Sequence, residues 1–97
     1  MDNSQIASVN SIFASYPVKR AAVFGSRARG DENSESDFDY IIEFDPEVTS
    51  TQYFDLWDSL EHVLGSNVDI LTPQALGQLP SSIKSKIEKE LTWLYER

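Results

Sequence analysis

Residues 37–44, DFDYIIEF, alternate so strictly that they fit one structure: a β-strand with an apolar side and an acidic side. Successive strand side chains point to opposite faces. Phe38, Tyr40, Ile42 and Phe44 therefore share one face, and Asp37, Asp39, Ile41 and Glu43 share the other. The aromatic face belongs in a core. The opposite face presents Asp37 and Asp39 side by side, their α-carbons roughly 6.7 Å apart. Like charges that close repel, and one tends to keep its proton. A divalent cation removes the conflict, and hard oxygen ligands of this kind select magnesium or manganese. From this pair alone, an acidic solvent face on an edge strand is the simpler reading. A second run, NVDIL at 67–71, sets Asp69 between apolar Val68 and Ile70, so Asp69 points away from the core. Paired beside 37–44, it would join Asp37 and Asp39 as a cage for one or two metals; otherwise it is an ordinary solvent-facing residue.

The remaining periodicities surround these strands with helices. Ile6, Val9, Phe13 and Tyr16 recur at helical spacing over 3–15, and Pro17 ends that helix. Residues 18–24 read as a short strand, with Gly25-Ser26 as the break and a short helical turn over 26–29. Residues 30–36 are a polar loop, and Pro46 closes the strand 37–44. Phe54, Trp57, Leu60 and Leu64 predict a helix over 51–64, ended by Gly65. Thr72-Pro73 stops the last strand. Ile83, Ile87, Leu91 and Leu94 predict a helix over 80–96. The fold class is α/β (α+β): a small mixed sheet of three or more strands with helices packed on it. The 97 residues suit a single domain over 1–97 with one modest core.

Composition narrows the chemistry. There is no cysteine and His62 is the only histidine, which excludes thiolate zinc sites, cysteine nucleophiles and two-histidine metal sites. Eight basic residues against 16 acidic ones give a net charge of −8, the wrong sign for general nucleic-acid binding. No basic leader followed by a long apolar run opens the sequence, and nothing is long enough to span a membrane, so a cytoplasmic protein is expected. The charges are also unevenly placed. Lys19, Arg20, Arg27 and Arg29 are followed directly by Asp31, Glu32, Glu35, Asp37, Asp39, Glu43, Asp45 and Glu47. A basic cluster running into an acidic one suits a site that holds phosphate and metal together. Gly25 lets the backbone turn and approach a ligand closely. N–H groups at the following turn and the Ser26 hydroxyl can hold phosphate, and Arg27 and Arg29 can neutralise a triphosphate.

The stretch VFGSRARGDENSESDFDYII places Gly25-Ser26, then ten residues, then Asp37-x-Asp39. It resembles the signature of the polymerase-beta-like nucleotidyltransferase superfamily, and in particular its minimal nucleotidyltransferases, many of which are antitoxins paired with HEPN-domain toxins. The resemblance is concentrated in residues 18–45 and reaches Asp69. It implies the polymerase-beta-like fold and transfer of a nucleoside monophosphate, AMP from ATP, to an acceptor hydroxyl. Asp37 and Asp39 would hold two Mg2+ ions. Asp69 would complete the metal site and help deprotonate the acceptor. Gly25 and Ser26 would grip the β- and γ-phosphates, with Arg27 and Arg29 beside them.

Larger relatives carry a second domain for the acceptor, so the resemblance implies that a partner chain or a homo-oligomer completes the site. The leading expectation is a type VII-like antitoxin that adenylylates a tyrosine of a partner HEPN toxin. The competing readings are an antitoxin that neutralises its toxin by binding alone, and a subunit that modifies a small molecule such as an antibiotic. Neither direct nucleic-acid binding nor a membrane partner is expected. His62 reads as a surface residue, Tyr53, Phe54 and Trp57 as core, and Trp93 and Tyr95 as surface or interface aromatics.

Overall fold

A computed structural model describes residues 3–30 and 37–97, apart from the Ser26 side chain. Helix α1 spans Asn3–Ser15 and leads into strand β1, Val18–Phe24. The short helix α2 covers Ser26–Arg29. Strand β2 is Phe38–Phe44, helix α3 is Ser50–Leu64 and strand β3 is Val68–Leu71. Helices α4, Pro73–Gly77, and α5, Ser81–Glu90, precede strand β4, Thr92–Glu96. The four strands form one mixed sheet in the order β3-β2-β1-β4. β1 runs antiparallel to both β2 and β4, and β2 runs parallel to β3.

The core lies where the alternation of β2 places it. Phe38, Tyr40 and Ile42 are fully buried together with Val9, Phe13, Val18, Val23, Leu56, Leu60 and Val68. Helices α1 and α3 cover this face. Phe13 meets Tyr40 edge-on, with ring centroids 6.0 Å apart, a geometry favoured by the ring quadrupoles. Helix α3 is well bounded. Thr49 accepts the Gln52 N–H, Gln52 accepts the Thr49 N–H, and Gly65 ends the helix in the left-handed region at φ 64°.

The second face of the sheet is only partly covered. Ile41 and Ala22 are buried there. A small cavity of about 170 Å³ separates Ile41 from Leu76 of α4 and Leu91. Arg20 pairs with Glu43 across β1 and β2 on the same face, at 2.6 Å, and lies over the Trp93 ring. Asp39 and Asp69 lie at the β3 end of this face.

β3 is an edge strand, and α3 closes it. Trp57 Nε1–H donates to the Val68 carbonyl at 2.7 Å, and the Val68 N–H donates to Glu61 Oε2 at 3.0 Å. Both outward backbone groups of Val68 are thereby satisfied, which prevents further strand addition at that point and fixes the residue before Asp69.

Three expectations need correction: the helix over 80–96, Phe54 as core, and Tyr95 as a surface or interface aromatic, which is partly buried against the core. The helix over 80–96 ends at Glu90; Leu91 is already extended, and 92–96 form β4. The stripe of Ile83, Ile87, Leu91 and Leu94 fits a helix, but Thr92, Trp93 and Tyr95 favour strands, and β1 has a second edge to pair. Tyr95 packs on Phe13, ring centroids 5.8 Å apart. Phe54 is not core: it is 61% exposed and stacks on Trp57. The polar loop at 31–36 lies outside the described residues. Among the described residues no helix is long and apolar enough to cross a membrane.

The two classes of hydrophobic residue should respond differently to truncation. Leu60→Ala, at a fully buried position, is expected to cost about 2–5 kcal/mol in denaturant unfolding. Phe54→Ala should stay within about 0.5 kcal/mol of the parent.

Candidate active site

The parallel pairing of β2 with β3 matches Phe38 to Val68, Asp39 to Asp69 and Tyr40 to Ile70. Adjacent strands lie about 4.8 Å apart. Directly opposed residues share a face, so the two carboxylates meet on the second face of the sheet. Asp37 immediately precedes β2, is exposed, and adds its charge to theirs. The Asp39 carboxyl is held above the usual carboxylate range. Burial is the main cause, followed by the charges of Asp69 and Asp37 and a side-chain hydrogen bond with Asp69; Arg29 pulls the other way. A proton shared between two acids is the expected response to crowding without a counter-charge.

Gly25 sits against this pair. Its φ is +76°, in the left-handed region that glycine adopts without penalty. A β-carbon there would lie 2.5 Å from Asp39 Oδ2. Glycine is therefore required twice, by the turn and by the carboxylate at its back. The Gly25 carbonyl accepts the N–H groups of Ala28 and Arg29, each at 3.1 Å, and so starts α2. Ser26 opens α2 beside the acids; its side chain lies outside the described residues.

The two arginines take different directions. The Arg27 guanidinium lies over the Phe38 ring, 4.0 Å from its centroid. Phe38 belongs to the face opposite Asp39, so this is a packing position. Arg29 turns the other way, close enough to Asp39 to lower its proton affinity. It is bound by Glu90 Oε1 at 2.7 Å, while Glu90 Oε2 accepts the Gly25 N–H at 3.2 Å. Sequence reasoning missed Glu90. The run IEKE reads as the polar end of a helix, and only the tertiary pairing of β4 with β1 brings it to Gly25. His62 is exposed on α3.

The donor set is all oxygen and suits a hard divalent cation. Asp39 and Asp69 are brought together, with Asp37 at their rim. Among the described residues no three acidic or histidine side chains enclose a metal position by themselves. The arrangement is a pair with a flanking third acid rather than a closed cage. Such a pair can share a cation with the oxygens of a bound phosphate, as hydrated magnesium sites do.

Comparison with known proteins gives a consistent picture. The family described as polymerase beta, nucleotidyltransferase, matches residues 7–97. A Methanocaldococcus jannaschii protein provisionally named a protein adenylyltransferase is 37% identical over 81 residues, 81% of this chain and 79% of its own. A solved structure described provisionally as a minimal nucleotidyltransferase superposes with a TM-score of 0.73 at 29% identity, covering 92% of this chain and 88% of that one. The fold also matches one chain of a solved structure described as a tri-AMPylated Shewanella oneidensis HEPN toxin in complex with MNT antitoxin, with a TM-score of 0.68 at 13% identity, covering 100% of this chain and 74% of that one.

Because the Asp39 carboxyl is raised, the stability linked to it is complete below the ordinary carboxylate range. It is lost as pH climbs through the folded value. Asp39→Asn keeps the shape and removes the charge. In metal-free buffer at neutral pH it should raise the melting midpoint. The gain should disappear near pH 3. Thermal melts across pH check both points.

Proposed function

The chain belongs to the polymerase beta nucleotidyltransferase family, and we propose that it transfers AMP from ATP to a tyrosine hydroxyl of a HEPN-type toxin, silencing that toxin. The observation that carries this reading is the in-register Asp39–Asp69 pair with Gly25 packed directly on it. In this reading the acid pair attracts the cation and the glycine turn admits the phosphates at the same spot. Support for the protein acceptor comes from the relative provisionally named a protein adenylyltransferase. Support for the HEPN partner comes from the fold match to the AMPylated toxin complex.

In this reading the acceptor oxygen attacks the α-phosphorus. The bond between the α-phosphorus and the bridging oxygen breaks, and pyrophosphate leaves. Magnesium would supply positive charge that offsets the carboxylates and the triphosphate. Asp37, Asp39 and Asp69 are the residues that would hold it. Asp69 is exposed, within reach of an incoming acceptor, and its carboxylate takes the hydroxyl proton. Gly25 lets the backbone come close to the β- and γ-phosphates, and Ser26 grips them at the start of α2. Arg29 sits on the same side as the acids and neutralises phosphate charge. Arg27, stacked on Phe38, holds α2 to the sheet. Transfer of this kind needs mainly positioning and charge neutralisation, which suits a site with no histidine or cysteine.

The test uses the protein, magnesium, ATP labelled at its α-phosphate, and the product of the adjacent gene. Label on a tyrosine of the partner is expected, with loss of signal on chelation of magnesium. Asp39→Ala should abolish magnesium-dependent ATP binding and labelling. Asp69→Asn should still bind ATP but transfer about 10²–10⁴-fold more slowly. A partner that stays unlabelled while ATP binds normally contradicts the acceptor assignment.

A further inference from the structure

We infer that Glu90 is a positioning residue for nucleotide transfer: its carboxylate ties the Gly25 turn and Arg29 into one phosphate-facing unit. This rests on the nucleotidyl-transfer reading above. Glu90 ends α5, and β4 begins two residues later. β4 pairs antiparallel with β1, matching Val23 to Thr92. Two steps further along each strand, in opposite directions, lie Gly25 and Glu90. The strand pairing that forms the edge of the sheet therefore delivers Glu90 to the turn.

Both carboxylate oxygens are used. Oε2 accepts the Gly25 N–H at 3.2 Å, and Oε1 accepts Arg29 Nη1 at 2.7 Å. The two contacts bracket α2 at either end. Gly25 lies immediately before it and Arg29 is its last residue. The Glu90 side chain is 14% exposed, whereas that of Arg29 is 42% exposed. The acid is thus an inward anchor and the arginine an outward-reaching group. A guanidinium carries five N–H donors in a rigid fork. Holding it at Nη1 sets the plane in which the rest of the fork meets a phosphate.

Gly25 is the more sensitive point. Its α-carbon packs so closely on Asp39 that a β-carbon would lie 2.5 Å from Oδ2. Any drift of the turn changes the spacing between phosphate grip and acid pair, and small misplacements of that kind are costly in transfer reactions. The α2 helix is a single turn and does not hold this geometry alone. Glu90 supplies the restraint from a segment 65 residues away in sequence.

The experiment measures magnesium–ATP affinity by calorimetry for the parent protein, Glu90→Gln, Arg29→Gln and the double variant. Glu90→Asp, which keeps the charge but shortens the reach, is a second probe should Glu90→Gln fail to fold. Thermal melts confirm folding. The expected result is a loss of about 5–20-fold for Glu90→Gln, with the double variant weaker than Arg29→Gln alone but by less than that factor, because Glu90 acts partly through Arg29 and partly through the Gly25 turn. In turnover, Glu90→Gln should raise the KM for ATP and leave the acceptor KM unchanged. Tighter ATP binding by Glu90→Gln would make Glu90 a competitor of the phosphate and overturn the proposal. Unchanged affinity, or losses that simply add, would overturn it as well. Failure of the parent protein to bind magnesium–ATP is a separate result, seen before any variant is made, and it would refute the nucleotide reading itself.

Discussion

The structure depends on a repulsion that the fold imposes. Parallel pairing of β2 and β3 sets Asp39 directly beside Asp69, and burial with Asp37 nearby makes the conflict worse. A sheet with no task on that face would place opposite charges or uncharged residues there. Here the rest of the chain works to hold the two acids together. The apolar side of β2 is locked into the α1/α3 core. Trp57 and Glu61 fasten Val68 on the free edge of β3. Gly25 closes the third side, leaving no room even for a methyl group.

The basic residues near the site divide into two roles. Arg27 stacks on Phe38 and anchors α2 to the apolar side. Arg29 faces the acids and is held by Glu90. Arg20 pairs with Glu43 further along the same face, so it belongs to the wall of the small cavity beside Ile41 and Leu76 rather than to the Gly25 turn. Among the described residues, a chain of net charge −8 thus sets the Arg29 cation beside its acid pair. That arrangement suits a ligand carrying both phosphate and metal better than either alone.

Much of this was legible in the sequence because the informative residues obey short-range rules. The period-two alternation of 37–44 fixed which side of β2 faces the core, and Val68 and Ile70 did the same for Asp69. Gly25 and Gly65 marked a turn and a helix end, and both adopt positive φ. The misses came where long-range pairing decides. Leu91 and Leu94 continue a helical stripe, yet the open edge of β1 turns 92–96 into a strand. Phe54 sits on the apolar stripe of α3 but is 61% exposed, packed only along its own helix against Tyr53 and Trp57 among the described ring contacts. Glu90 has no local signature at all, since its role exists only through the β1–β4 register. The difference between Arg27 and Arg29 is likewise tertiary: two residues of one short turn point to opposite sides of the sheet.

The central claim is that Asp39, Asp69 and the Gly25 turn form one cation- and phosphate-binding locus. A titration of isotope-labelled protein with manganese in the presence of a non-hydrolysable ATP analogue tests it most directly, because paramagnetic broadening falls steeply with distance from the ion. Broadening centred on the amides of Gly25, Asp39 and Asp69, and abolished in Asp39→Asn, is the predicted result. Broadening centred elsewhere on the acidic surface, or spread evenly over it, would contradict the account.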